Sequence, residues 1–189
     1  MKTQKRQTSA EEAEITYTDD EKRDIERLIQ TVVPLLYWYH TNARVLPWRS
    51  EVTPYRTWIS EIMLQQTRVE AVIPYFERFL HELPTVAALA AAEPDRLNKL
   101  WEGLGYYSRA RNLQKAAQAI MERYGGEMPG DYPSLLSLPG IGPYTAGAVA
   151  SIAFGQPEPA IDGNVIRVYT RLTADGTPSD SAALKEKMR

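Results

Sequence analysis

Leu138-Pro139-Gly140-Ile141-Gly142-Pro143-Tyr144-Thr145-Ala146 is the stretch whose reading decides the fold. Pro133 to Leu138 has the pattern of a short helix, and Pro143 suits the first position of a second helix through about Phe154. The two glycines then lie in a tight turn between helices, where Gly140 and Gly142 allow positive φ and close approach of another backbone. Unpaired N–H groups at the start of the second helix, together with its dipole, favour an anion. A DNA phosphate is a natural ligand, since backbone amides grip it without reading sequence. An ordinary helical corner accounts for a bare Gly-x-Gly. The complete Leu-Pro-Gly-Ile-Gly ahead of the small-residue run Thr145-Ala146-Gly147-Ala148-Val149-Ala150-Ser151 favours the phosphate grip.

Outward from this turn the pattern is helical throughout, with no alternating strands and no internal repeat, so the fold class is all-α. Residues 1–19 read as a polar, disordered tail. From Asp20 the spacing predicts a helix with a wide apolar face (Ile25, Leu28, Ile29, Val32, Val33, Leu36, Trp38), which Pro34 would kink, and Leu46-Pro47-Trp48-Arg49 reads as a break. Thr53-Pro54 opens a helix through about Gln66, a second helix runs from about Thr67 to Leu80, and Thr85 and Pro94 open two short ones. Gly103-Leu104-Gly105 is a turn, Ser108 is placed as the cap of a long helix to Tyr124, and a last helix begins near Gly163 or Asn164. Four segments follow: the tail (1–19), an N-terminal helix (20–44), a helical barrel (45–156) and the start of a second subdomain (157–189). The helix-favouring end Ser181-Ala182-Ala183-Leu184-Lys185 has no stop signal and leads us to expect a truncated second subdomain.

At 189 residues and 43% hydrophobic the chain can bury a real core. Its apolar runs are too short to span a bilayer, no secretory signal is recognisable, and the absence of cysteine leaves no disulfide and no thiolate metal site in these residues. A soluble intracellular protein with no membrane partner is therefore expected, cytoplasmic or at the nucleoid in a bacterium. The net charge of −2 decides nothing about nucleic acid, because residues 31–189 carry sixteen charges of each sign and arginines, Arg49, Arg68, Arg109 and Arg111 among them, lie near the motifs.

Glu61 sits in Trp58-Ile59-Ser60-Glu61-Ile62-Met63-Leu64, without a Lys or Arg at helical spacing. Either it lies on the wet face of its helix, or it is a desolvated carboxyl with a raised pKa suited to a general acid. Asp162, twenty residues after Gly142, precedes a helix, where it is both an ordinary N-cap and a carboxylate placed for electrostatic stabilisation. Two carboxyls pushed apart in pKa are an arrangement that cleaves glycosidic bonds. Gln65-Gln66-Thr67 and Gly103-Leu104-Gly105-Tyr106-Tyr107 put amide and aromatic side chains on turns, which suits wedging into a base stack or, equally, plain packing.

In order and spacing, LPWR (46–49), PYRTWISEIMLQQTRVEAVIPYF (54–76), LWEGLGYYSRARNL (100–113), LPGIGPYTAGAVASIAFG (138–155) and IDGNVIRV (161–168) resemble the helix-hairpin-helix DNA glycosylases, and within them the adenine glycosylases of the MutY type. The resemblance covers roughly residues 30–175. It implies a six-helix barrel with an incomplete second helical subdomain. It also implies a monomeric base-excision-repair enzyme that hydrolyses the N-glycosidic bond of adenine mispaired with 8-oxoguanine or guanine in duplex DNA. Glu61 would protonate the flipped adenine, and Asp162 would stabilise the sugar cation or trap it briefly. Tyr144 and Asn164 would line the pocket around the sugar. Gln66, Thr67, Leu104, Tyr106 and Arg49 would meet the duplex, with Gly140 and Gly142 on a phosphate. A lysine stands in related endonuclease III-type lyases where this chain has Tyr144. Because an imine needs an amine, a glycosylase without lyase activity is expected. The alternatives are an endonuclease III-like glycosylase for oxidised pyrimidines and a non-catalytic DNA-binding fragment. Intact family members carry a [4Fe-4S] cluster whose ligands would lie beyond residue 189, so these residues alone are expected to bind DNA weakly and to act slowly, with no metal held within them.

Overall fold

Short polar side chains open many of the helices. The Thr18 hydroxyl and Glu21 carboxylate form a reciprocal cap on α1 (Asp19–Asn42), Thr53 caps α3 (Pro54–Leu64) and Thr85 caps α5 (Val86–Ala90). Asp131 and Asp162 do the same for α8 (Tyr132–Leu136) and α10 (Gly163–Thr173). Proline at the first position starts α2 (Pro47–Ser50), α6 (Pro94–Trp101) and α9 (Pro143–Phe154). α4 (Val69–Glu82), α7 (Ser108–Tyr124) and α11 (Ala182–Lys187) complete the order. The structure, a computed structural model, describes residues 17–188, which contain no strand and no helix long and apolar enough to cross a membrane.

Several boundaries differ from the sequence expectation. The tail lies outside the described residues up to 16, and Thr18 belongs to the α1 cap, so the helix starts at Asp19. Residues 47–50 form a helical turn where a break was expected, because Pro47 is preorganised for a helix start. α3 ends at Leu64, and Gln66 falls outside it with φ +56°. Ser108 is the first residue of α7, not its cap, and Tyr107 at the cap position makes no side-chain capping bond. Gly142 has φ −91°, so it does not use the left-handed region, whereas Gly140 does at φ +74°.

One core runs from Leu46 to Phe154. α3 lies at its centre, packed on α4, α7 and α9, while α5 lies along α7 and α8 along α9. Aromatic edges lock it: Phe79 meets Trp101 at 6.0 Å and Trp48 meets Phe76 at 5.4 Å, both T-shaped. α1 packs against α10 but buries no residue fully, and Val33, Leu36 and Trp38 on its apolar face stay exposed. Lys187 of α11 fastens this outer group, donating to Asp24 of α1 at 3.2 Å and to Asp175 at 3.0 Å. The Asp175 carboxyl is held down at about 2, first by the Thr177 hydroxyl and amide and then by Lys187.

The core and the outer face should answer differently to truncation. Phe79→Ala, at a fully buried position, should lower the unfolding free energy by about 3–5 kcal/mol. Val33→Ser, at a position 74% exposed, should change it by less than about 0.5 kcal/mol. Denaturant titration of the purified chain measures both.

Candidate active site

α3 carries buried residues on nearly every side, Trp58, Ile59, Ser60, Ile62 and Met63 among them, because it is enclosed by three other helices. Glu61 is drawn into that surrounding and half-buried at the floor of a cleft of about 1030 Å³. Burial pushes its carboxyl up from the ordinary carboxylate value. The Tyr144 hydroxyl pulls it down, the Asp162 charge pushes it further up, and Arg49 pulls it down again. Tyr144, from the first turn of α9, has its own hydroxyl pushed well above the usual phenol range by burial and by the Glu61 carboxylate. Glu61 is thus not on a fully wet helix face, and its half-buried place in the cleft favours the desolvated reading.

Asp162 reaches the same cleft from the far side. Its Oδ1 accepts the N–H groups of Asn164 (2.9 Å) and Val165 (2.8 Å), and its Oδ2 accepts the Asn164 side-chain amide (3.0 Å). Arg167 donates to Asn164 Oδ1 at 3.0 Å, which fixes the amide so that its nitrogen faces Asp162. The loop that delivers Asp162 crosses α9 at Gly147: a Cβ there would stand 2.3 Å from the Pro159 carbonyl oxygen. Only glycine admits that crossing.

Glu61, Tyr144, Asp162, Asn164, Arg49, Gln66 and Tyr106 all line this one cleft. Thr67, Leu104, Gly140 and Gly142 do not. Gly140 is held in its turn partly by space, since a Cβ there would come within 2.6 Å of Asn112 Cβ. Gly142 faces open space at the N-terminus of α9, where the amides are free of a side-chain cap. In the second turn Leu104 is 6% exposed and belongs to the core, whereas Tyr106 is 61% exposed. The expectation for that turn named both side chains; the outward one is Tyr106. Three contributors escaped the sequence reading: Gly147, hidden in a run of small residues; Arg167, whose i+3 spacing from Asn164 was the available signal; and Arg109, counted only as one arginine near the motifs. The sequence has no cysteine, and among the described residues no three His, Cys, Asp or Glu side chains group to hold a metal ion. Residues 17–188 therefore do not fit an iron–sulfur cluster.

The family described as HhH-GPD superfamily base excision DNA repair protein matches residues 59–189. The chain is 43% identical over 175 residues to the adenine DNA glycosylase of Homo sapiens, covering 88% of this chain and 32% of that protein. To the adenine DNA glycosylase of Buchnera aphidicola subsp. Baizongia pistaciae it is 46% identical over 138 residues, covering 72% and 39%. The chain thus spans about a third of the length of the curated relatives it matches. Among solved structures, a non-covalent endonuclease III–DNA complex superposes with a TM-score of 0.72 at 26% identity, covering 92% of this chain and 76% of that one. A thermostable thymine-DNA glycosylase superposes with a TM-score of 0.71 at 28% identity, covering 79% and 68%.

Two consequences of this geometry can be measured without any substrate. A carboxyl whose folded pKa is raised contributes stability below its unfolded value, near 4.5, and loses it as pH rises through the raised folded value. Glu61→Gln should therefore make the protein more stable than the parent at pH 7, with the gap closing below about pH 4.5. Denaturant midpoints across pH test this, and a parent protein as stable as the variant at pH 7 would contradict it. Gly147→Ala should push the 157–162 loop off α9, so amide exchange at Asn164 and Val165 should speed up while exchange within α7 stays as it was.

Proposed function

Because the chain belongs to the HhH-GPD superfamily of base excision DNA repair proteins, we propose that it removes adenine from duplex DNA by hydrolysing the N-glycosidic bond, with adenine opposite 8-oxoguanine or guanine as its substrate. The observation that carries this reading is the Glu61 carboxyl, pushed up by burial and facing Asp162 and Tyr144 across one cleft. The relatives named adenine DNA glycosylase and the likeness to DNA-bound endonuclease III support it.

Adenine is unreachable inside a stacked duplex, so the nucleotide must swing out into the cleft. Neutral Glu61 gives its proton to a ring nitrogen of the extruded base, and the N-glycosidic bond then breaks with its electron pair leaving on adenine. The sugar is left as an oxocarbenium-like cation, which the Asp162 carboxylate stabilises by charge or by a short-lived bond to the anomeric carbon. Water adds at that carbon and loses its proton to the Glu61 carboxylate, restoring the acid. The amides that hold Asp162 and the Arg167-fixed Asn164 aim its carboxylate before the cation forms, which is worth more in a water-poor cleft than in bulk solvent. Tyr144 offers no amine, so no imine forms with the sugar and strand cleavage is not part of the reaction. Gly140, Gly142 and the free amides of α9 hold a phosphate of the bound strand, and Gln66, Tyr106 and Arg49 form the surface that meets the duplex, with Thr67 beside them and Leu104 buried beneath the second turn.

Single-turnover excision on a duplex with adenine opposite 8-oxoguanine tests the reading. In the full-length protein, Glu61→Gln and Asp162→Asn should each slow excision by about a thousandfold or more, while mismatch binding in a gel-shift assay stays within about threefold of the parent. Undiminished excision by either variant would remove the acid–stabiliser pair from the mechanism.

A further inference from the structure

We propose that Arg109 is a positioning residue that clamps the two duplex-facing turns at a fixed separation, so that Gln66 and Tyr106 enter the base stack together. This rests on the adenine-excision reading above. Arg109 is 8% exposed, and its guanidinium reaches out from α7 between the end of α3 and the turn that follows α6. One terminal nitrogen donates to the carbonyls of Ile62 (2.9 Å), Met63 (3.0 Å) and Gln65 (2.6 Å), which close the end of α3. The other donates to the Thr67 hydroxyl (3.3 Å) and to the carbonyls of Leu104 (3.1 Å) and Gly105 (3.3 Å). Its carbon lies 5.4 Å from the centre of the Trp101 ring and 5.5 Å from that of Tyr106. No acidic side chain pairs with it among the described residues.

Each turn it grips ends in a residue that ordinary sterics oppose. Gln66 has φ +56° and Tyr106 has φ +48°, and neither is glycine. Such conformations persist only where the surroundings over-determine them. Both side chains are exposed and both line the cleft that holds Glu61. A buried cation whose two terminal nitrogens bond only backbone carbonyls and one hydroxyl, with Nε left unpaired among the described residues, is flanked by the two left-handed residues and placed to set where these side chains stand relative to each other. The fork of the guanidinium is what makes this possible: an ammonium has three donors from one point and cannot span two turns.

The test separates extrusion from chemistry. Arg109→Lys keeps the charge and loses the fork, while Thr67→Val removes a single acceptor on the Gln66 side. Full-length parent and variants are compared on two substrates: the adenine·8-oxoguanine duplex, and the same duplex with the adenine in a single-base bulge, already without a partner. The clamp predicts that Arg109→Lys slows single-turnover excision on the mispair by about tenfold or more and on the bulge by less than about threefold. Thr67→Val should shift the ratio in the same direction by a smaller factor. A 2-aminopurine placed at the adenine position should show its fluorescence rise slowed to match. Equal losses on both substrates, or an unchanged ratio in both variants, would overturn the clamp. Should Arg109→Lys fail to fold in a thermal melt, the Thr67→Val ratio decides alone. Absence of adenine excision by the parent on either substrate would instead overturn the functional reading on which the clamp rests.

Discussion

At Gly147 the carbonyl oxygen of Pro159 occupies the space where a side chain would begin, 2.3 Å from the position of a Cβ. α9 is flanked there by α3 on one side and the 157–162 loop on the other, and its run of buried small residues, Ala146 to Ala150, lets both come close. α3 brings Glu61, α9 brings Tyr144, and the loop brings Asp162 to cap α10. Three residues far apart in sequence thereby share one cleft, and the spacing between them is set by backbone contact. Packed backbone deforms less than a chain of side-chain contacts, which favours a fixed separation of the two carboxyls.

The two acids are given opposite surroundings by this architecture. Glu61 is enclosed by apolar neighbours and gains one hydroxyl, so desolvation dominates and its neutral form is favoured. Asp162 stands at a helix start, where two amides and the Asn164 side chain satisfy its oxygens. In the proposed reaction this contrast is what divides acid from stabiliser. Burial of the Glu61 carboxyl costs stability, because an ionisable group desolvated there would fold better as an amide.

Much of this was legible in the sequence. The hairpin, the Thr53 and Thr85 caps, the proline helix starts and the apolar face of α1 follow from local rules of capping and periodicity, and each is present. Glu61 was undecided because periodicity reports only which face of α3 is apolar, and α3 turned out to be covered on several faces by later helices. The left-handed Gln66 and Tyr106 are invisible to local rules, which do not put a non-glycine residue at positive φ, and the Arg109 bond that closes the first turn comes from more than forty residues away. Gly142 was misread because a glycine can serve as an extended cap as readily as a left-handed hinge.

Counting charge also failed, and Arg109 shows the physical reason. A guanidinium paired with a carboxylate is neutralised locally, but one caged by carbonyl dipoles keeps its unit of charge. Burial works against that charge and lowers the pKa, although a guanidinium remains protonated across the range in which proteins fold. A retained cation beneath two exposed turns projects a positive field toward the surface where Gln66 and Tyr106 stand. A main body with equal numbers of acidic and basic residues can therefore present a face that attracts phosphate, provided its acids are spent elsewhere. Glu82, Glu102 and Asp175 are spent in this way, each bound to a lysine or arginine away from the cleft.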